Sequence, residues 1–318
     1  MNEEGMKRDY FGFLPYRWTI EFDGGKVSPI PGFEEHAVWV DKYTNEDGFL
    51  YPPIEQRVEV DPITMKPLQY IPKTEKPAHL HKILPSHELC LYQSGTEEDV
   101  RKGSGSFIIH LLAYLFGVRL QFYDWWLDGR LPIKERARTH SIRFTEKTAE
   151  EFLSHYYKTW RNWNEKEQSL ITNLLFMHTR SPSYGWDWER FTIEYMVFDG
   201  CRRLAESLNL IQRKQRKKKR PRNTGELIKT LCDSFSIPCD DDLACKIVSL
   251  RNELFHRTLW DGSQPCTAVS SLAFMSHLHL RQLNQRLFPA LFGYKTHYVQ
   301  TKWWIHGKFE FDQPKNKG

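Results

Sequence analysis

The chain has 318 residues, of which 40% are hydrophobic and 27% charged, an ordinary composition for a globular protein with room for two domains. Its net charge of +5 comes from one segment, 213–222, which holds eight basic residues; the remaining 37 basic residues face 40 acidic ones, a balance of −3. This distribution excludes a basic surface spread over the whole protein.

The cysteines and the apolar segments indicate the compartment. Six cysteines include no Cys-x-x-Cys pair, which is typical of reduced, buried thiols in the cytosol. The N-terminal sequence M-N-E-E-G-M-K-R-D has no apolar signal region. The most apolar run, 107–117, is shorter than the ~20 residues that cross a bilayer. We therefore expect a cytoplasmic protein that does not associate with membranes.

The first part of the chain, 1–146, is predicted to be a β-rich domain. Its strand candidates are short, alternating or β-branched runs separated by prolines, at 17–22, 37–40, 56–60 and 68–71. A helix is predicted over 106–116, followed by an extended segment at 118–123.

The second part, 147–318, is predicted to be helical. Thr148 with Glu151 reads as a capping box, and apolar residues then recur at helical spacing, with a break near Asn164. Asp187 caps a further helix, and a last helix covers 267–287 and ends at Pro289. Short connections favour antiparallel helical neighbours over 147–290, with short strands at 296–299 and 309–311. The predicted fold class is α+β, a β-rich N-terminal domain followed by an antiparallel helical bundle.

One predicted helix, 240–262, carries the best candidate for a functional site. Three aspartates open it, where the helix dipole favours negative charge, and Asp261-Gly262 closes it. Near its end the sequence Leu-Arg-Asn-Glu-Leu-Phe-His places Arg251, Asn252 and His256 within six positions. An Arg-to-His spacing of this kind is expected by chance in a chain with so many of both residues. The following Asn, the helix end and the surrounding bundle distinguish this one.

This combination resembles the HEPN domain, whose signature is Arg-x4–6-His with a polar residue, often Asn, after the Arg. The resemblance covers the bundle at about 147–290. It implies a metal-independent endoribonuclease without a cofactor, with Arg251, Asn252 and His256 as catalytic residues. It also implies a homodimer with a composite cleft, and a 2′,3′-cyclic phosphate product.

The chemistry of these residue types agrees with that implication. RNA is cut without a metal when its 2′-OH loses a proton and attacks the adjacent phosphate. Histidine, with an ordinary pKa of about 6.5, suits the proton transfers. Arginine is permanently charged and forks onto phosphate oxygens. Asn252 and His256 share a helix face at i, i+4, and Arg251 lies about 140° around an ideal helix from His256. Arg and His at a helix end can also simply interact with the last carbonyls, so a structural role stays open.

Other candidate residues have plainer interpretations. Glu194, Asp199 and Arg202 could face a cleft, although an exposed helix surface is the simpler interpretation. The pair His79/His81 with His87, and the pair His277/His279, have metal-like spacing, but we predict no metal because neither group has convincing further ligands.

The basic segment has three open interpretations: a contact with the RNA backbone, a solvated linker between two helices, or a nuclear signal. Its candidate RNA-binding residues are Arg213, Lys214, Arg216, Lys217, Lys218, Lys219, Arg220 and Arg222.

The order of a β-rich region and a HEPN bundle is similar to ApeA-type HEPN proteins of bacterial antiphage defence. That resemblance implies a dormant ribonuclease, with tRNA as one candidate substrate. Its residues 1–146 would sense a phage-derived or other trigger, or restrain the bundle. Two alternatives stay open: a non-catalytic HEPN module that binds a nucleotide or a partner, and the toxin of a toxin–antitoxin pair.

Overall fold

The computed structural model describes residues 7–50, 57–64, 66–71, 80–92, 100–138, 140–211, 225–261 and 268–312. These residues form a mixed α and β protein, with most strands in the N-terminal region and most helices after it. Contacts divide the chain into two compact units: Met1–Glu21 with Gly25–Arg138, and Phe22–Gly24 with Thr139–Gly318. No helix in the described ranges combines the length and apolar character needed to cross a membrane.

A five-stranded antiparallel sheet is the largest sheet of the N-terminal region. The strands up to residue 132 are β1 (Lys7–Gly12), β2 (Ile20–Phe22), β3 (Gly25–Pro29), β4 (Phe49–Leu50), β5 (Arg57–Val60), β6 (Pro67–Ile71), β7 (Leu80–His81), β8 (His87–Leu91), β9 (Gln121–Phe122), β10 (Leu127–Asp128) and β11 (Leu131–Pro132). The sheet order is β2-β3-β8-β1-β9, and β8 pairs with β1 from Lys7↔Leu91 to Phe11↔His87. The other strands of this region form two-stranded pairs.

Two helices accompany these strands. The first, α1 (Phe33–Lys42), contains the segment 37–40 that the sequence predicts as a strand. That prediction is wrong. A run of four apolar residues is compatible with both the strand period and the helix period, and helical spacing buries Phe33 and Val40 together. The second, α2 (Ser104–Phe116), confirms the predicted helix. It is buried on nearly all sides and ends at Gly117, whose left-handed conformation (φ 66°) favours glycine.

The second unit contains the remaining helices. Its elements are β12 (Ile142–Arg143), α3 (Glu146–Arg161), α4 (Glu165–Arg180), α5 (Asp187–Ser207), α6 (Gly225–Ser234), α7 (Asp241–Arg257), α8 (Ser271–Leu291) and β13 (Phe309–Glu310), with short 3-10 turns at Ser181–Ser183 and His297–Gln300. The predicted capping box at Thr148 is wrong, since Thr145 caps α3 by accepting from the Thr148 N–H. The predicted break near Asn164 is confirmed: Asn164 caps α4 together with Glu167.

Helices α4 and α5 of this unit pack closely, and their relative direction follows from paired contacts. A Cβ on Gly200 of α5 would lie 2.3 Å from a Leu174 methyl of α4, so glycine allows these antiparallel helices to approach. Further along the same pair, Ser207 donates to Glu167 at 2.8 Å. By contrast, α5 and α8 run in the same direction, which the prediction of antiparallel neighbours did not include.

Two predictions near the C-terminus are wrong. Helix α8 does not end before Pro289 but continues to Leu291. The proline removes one backbone hydrogen bond from the last turn, and the buried Leu287 and Phe288 hold that turn in place. The segment 296–299 is not a strand; His297–Gln300 is a 3-10 turn, capped by the Thr296 hydroxyl. The predicted return of the tail is present, as β13 pairs in parallel with β12.

Candidate functional site

Helix α7 begins and ends through local capping, and this fixes where the Arg–Asn–His motif lies. The Asp240 carboxylate accepts from the Leu243 N–H at 3.0 Å at the start. At the other end Thr258 adopts a left-handed conformation (φ 58°), and its N–H bonds to the Leu254 carbonyl at 3.1 Å. The helix therefore ends at Arg257, before the predicted stop at Asp261, and His256 lies in its exposed last turn.

The three predicted catalytic residues are brought together by the arginine. Arg251 Nη1 donates to Asn252 Oδ1 at 3.1 Å and lies 3.1 Å from His256 Nε2. Arg251 and His256 lie about 140° apart around the helix axis, and the arginine side chain is long enough to span this separation. Asn252 therefore orients the guanidinium.

Two aromatic rings hold the guanidinium. The Arg251 Cζ lies 4.9 Å from the Phe255 ring centroid and 5.5 Å from that of Tyr195 on α5. Such cation–π contacts stabilise a cation by ~0.5–2 kcal/mol, more when water is excluded. Burial raises the pKa of Tyr195, and the nearby Arg251 charge opposes that rise, so the phenol stays protonated at neutral pH.

The motif side chains and Phe255 differ in how far they are exposed to solvent. Arg251 and Asn252 are half-buried, while His256 and Phe255 are exposed. The Arg251 Nε is shielded from solvent and has no hydrogen-bond partner within the described ranges. An anion that reaches Arg251 at this end of α7 would meet a guanidinium that is already held in place by the two rings.

A buried ionic cluster on the neighbouring helices corrects the interpretation of Glu194. Glu194 is completely buried and accepts from His178 Nδ1 at 2.9 Å, Arg281 Nη1 at 2.8 Å and Asn284 Nδ2 at 2.9 Å. The exposed-surface interpretation is wrong for this residue. The signal available in the sequence was Arg281 and Asn284 beside the core residues Leu280 and Leu283, since buried charges need partners.

Asp199 and Arg202 form an ordinary ion pair on α5. Their side chains meet at 3.0 Å, and Arg202 also contacts Glu206 at 2.5 Å. Both are partly exposed, so they contribute little to stability. The structure places neither of them in a described contact with the three motif residues.

The histidine pairs have other neighbours. His277 lies 3.8 Å from Asp187, and the His279 ring lies 5.2 Å from that of His306. Burial lowers the pKa of both His277 and His279 to about 4. His79 and the basic residues of 213–222 lie outside the described residues. In the described ranges no three His, Cys, Asp or Glu side chains are arranged to hold a metal ion.

Comparisons of this chain with protein-family models, with curated proteins and with solved structures find no match.

Proposed function

We propose that this protein is a metal-independent endoribonuclease of the HEPN type, in which Arg251, Asn252 and His256 act on an RNA phosphodiester. The observation that carries the proposal is the 3.1 Å contact between Arg251 Nη1 and His256 Nε2 at the exposed end of α7. Cleavage needs a proton-transferring group and a permanent cation at the same phosphate, and these two side chains can meet that requirement together.

The hydrogen bond also suggests an order of events. Because arginine always donates, His256 Nε2 must accept, so in this arrangement the imidazole is neutral and its N–H is on Nδ1. The lone pair that would take the 2′-OH proton is therefore occupied by Arg251. A phosphate attracts the guanidinium more strongly, because its hydrogen bonds are charge-assisted, and its arrival would release Nε2.

The proposed reaction then balances within a composite site. The 2′-OH proton passes to His256 Nε2, the 2′-oxygen attacks phosphorus, and the 5′-oxygen leaves with a proton from an acid. The products are a 2′,3′-cyclic phosphate and a 5′-hydroxyl. One chain offers a single motif histidine for two proton transfers, so a homodimer that places two α7 ends together would supply base and acid. Phe255, 43% exposed beside the motif, gives that interface an apolar contact.

Purified full-length protein incubated with tRNA and with total RNA in EDTA tests the proposal. We expect cleavage by the wild type, a rate ~10²–10⁴-fold lower in His256→Ala and ~10²–10³-fold lower in Arg251→Ala. The matched controls are His297→Ala and Arg203→Ala, which remove an exposed histidine and an exposed arginine elsewhere. Undiminished cleavage in both motif variants, with folding and dimerisation retained, would refute the assignment.

The same experiment separates the non-catalytic alternative. In that case wild type and His256→Ala bind RNA or a nucleotide equally, and neither produces a cyclic phosphate end. The Arg251–His256 contact would then serve only to hold the end of α7.

We also propose that the biological setting is antiphage defence, with residues 1–146 sensing the trigger or restraining the bundle. The support is the order of a β-rich region and a helical one in the chain. Expression in a bacterial host should lower phage plaquing, and His256→Ala should abolish that protection. An adjacent gene for a small nucleotidyltransferase-like protein would instead favour the toxin–antitoxin alternative.

A further inference from the structure

Helices α6 and α7 form an antiparallel hairpin, and two contacts fix its register. Lys229 of α6 forms an ion pair with Asp241 in the first turn of α7. Four residues earlier in α6, a Cβ added to Gly225 would lie 2.6 Å from the Sγ of Cys245, which is four residues later in α7. A step along one helix therefore matches an equal step back along the other. The last turn of α6 consequently faces the residues that immediately precede α7.

The connection between the two helices turns back onto the last turn of α6. Ser236 adopts a left-handed conformation (φ 55°), and the Ile237 N–H donates to the Cys232 carbonyl at 2.9 Å, which is the geometry of a Schellman turn. Ile237 is buried, and the Trp303 indole donates to the Pro238 carbonyl at 2.9 Å. The chain after Pro238 is therefore held against the end of α6.

This turn brings two cysteines together. Cys239 follows Pro238, and its thiol is hydrogen-bonded to that of Cys232. Cys232 is fully buried, whereas Cys239 is partly exposed. The pair therefore has one thiol that dissolved reagents can reach and one that the fold protects.

The hydrogen bond makes the two thiols unequal in acidity. Donation from Cys232 lowers the pKa of Cys239 from its ordinary value of 9.0, although burial and the carboxylates of Asp241 and Asp233 oppose this and Lys229 assists it. The same hydrogen bond, together with burial, raises the pKa of Cys232. Cys239 is therefore the thiol that ionises first, and the thiolate is the form that reacts with oxidants.

We propose that Cys239 and Cys232 are a peroxide-reactive pair, in which Cys239 is oxidised first and Cys232 then closes a reversible disulfide with it. The Cys239 thiolate attacks one oxygen of a hydroperoxide. An S–O bond forms as the O–O bond breaks, and the other oxygen leaves as an alcohol, or as water, with the proton that Cys239 had lost. The Cys232 sulfur then attacks the sulfur of the Cys239 sulfenic acid, and its proton leaves with the hydroxide as water. The peroxide is reduced, and two thiols become one disulfide.

The disulfide would tie the start of the motif-bearing helix to α6. It closes the connection directly before Asp240, whose carboxylate caps α7 by accepting from the Leu243 N–H. None of the three motif residues takes part in the oxidation. The proposal therefore stands independently of ribonuclease activity.

Peptide mapping of the full-length protein after oxidation tests the pair. Reduced protein is treated with a small molar excess of hydrogen peroxide and digested without reductant by chymotrypsin and Asp-N. Cleavage after Phe235 and before Asp240 separates Cys232, Cys239 and Cys245 onto different peptides. We expect a Cys232–Cys239 cross-link that has lost two hydrogen atoms and is reversed by dithiothreitol.

Two variants separate the roles of the thiols. Cys239→Ser should lose the cross-link and leave Cys232 reduced, because the buried thiol is protected. Cys232→Ala should also lose the cross-link, but Cys239 should now accumulate as a sulfenic acid that dimedone traps, since no thiol is present to resolve it. The matched control is Cys245→Ser, which removes the exposed cysteine of the same hairpin and should leave the yield of the cross-link unchanged.

The wild-type map and the variants can each overturn the proposal. Absence of the Cys232–Cys239 cross-link from the folded wild type would do so, as would a cross-link that uses Cys245 or oxidation of Cys245 ahead of Cys239. No gain of dimedone label at Cys239 in Cys232→Ala would also contradict it. Wild-type protein oxidised in urea should give mixed linkages, which shows that the fold directs the pairing. Far-UV circular dichroism of each variant checks that the hairpin remains folded.

Discussion

Replacing Glu194 with alanine tests how the helices behind the candidate active site are held together. Glu194 lies on α5 beside Tyr195, whose ring contacts the Arg251 guanidinium. Its carboxylate joins α5 to α4 through His178 and to α8 through Arg281, and all three side chains are nearly or completely buried. The variant therefore perturbs the support of the site without removing a motif residue.

The expected loss of stability follows from the buried charge of Arg281, which the variant leaves without its ionic partner. Without the carboxylate, the Arg281 guanidinium stays buried with its 2.5 Å contact to the His178 carbonyl but without its ionic partner. Breaking one side of a buried ion pair destabilises proteins by ~3–5 kcal/mol. We expect Glu194→Ala to lower the free energy of unfolding by that amount. The double variant Glu194→Leu/Arg281→Met should recover much of it, because no charge is then buried.

The pH dependence provides a second estimate. Burial by itself would raise the pKa of Glu194, but the adjacent His178 and Arg281 and the hydrogen bonds lower it from 4.5 to about 2. A carboxyl group with a lowered pKa contributes fully above pH ~4.5, and its contribution is lost as the pH falls towards ~2. At ~1.4 kcal/mol per pH unit this amounts to about 3 kcal/mol, consistent with the first estimate. His178, whose pKa is lowered mainly by burial, adds a loss that begins below pH ~6.5.

Urea unfolding followed by far-UV circular dichroism measures the effect. Because the chain has two compact units, unfolding need not be a single transition. Hydrogen exchange of the α4, α5 and α8 amides therefore measures the stability of the helices that Glu194 joins. The control is Asp199→Ala on the same helix, which breaks the partly exposed ion pairs with Arg202 and Arg203 and should cost ~1 kcal/mol or less. If Glu194→Ala costs no more than Asp199→Ala, or if its acid sensitivity between pH ~4.5 and ~2 equals that of the wild type, the ionic cluster does not stabilise the fold as argued.

Two further predictions concern the proposed ribonuclease. If the site is shared between two chains, activity per chain should fall on dilution, because a monomer has only half of the acid–base pair. The fall should follow the dimer fraction measured by sedimentation. Constant activity per chain in the monomeric range would contradict a composite site. Replacing Lys217, Lys218 and Lys219 with glutamine, in a His256→Ala background that slows RNA cleavage during the measurement, should flatten the dependence of log affinity on log salt by up to about 2 if each lysine contacts one phosphate. The matched Lys→Arg triple variant should keep the slope, and an unchanged slope in the glutamine variant would remove the basic segment from RNA binding.

Long periodic segments of the fold could be predicted from the sequence, and short ones could not. The helices around Phe152, Phe191 and Leu283 could be predicted because apolar residues recur at helical spacing over many positions. The run 37–40 is too short for either period to dominate, and it lies in α1. Pro289 shows the same limit in another form, since its ability to remain within α8 depends on packing around Leu287 and Phe288.

The candidate site was predictable in its residue types but not in its connections. The motif identified Arg251, Asn252 and His256, but the helix that carries them ends at Arg257, before the stop that the sequence predicts at Asp261. The contacts of Arg251 with Asn252 and His256 depend on the conformation of the long arginine side chain. Two aromatic rings hold that side chain, and one of them, Tyr195, belongs to α5. Sequence spacing contains no information on such a contact, because Tyr195 and Arg251 are far apart in the chain.

By itself the sequence determined the order of a β-rich region and a helical one, the start of α7 at Asp240, and the presence of an Arg–Asn–His motif, because each depends on neighbouring residues and their periodicity. Only the tertiary structure decided that Glu194 is a buried ionic centre, that Gln282 accepts a hydrogen bond from His306, and that the Arg251 guanidinium lies against Tyr195. The physical reason is that burial and partner choice depend on which distant helices pack together, and packing is a property of the whole fold.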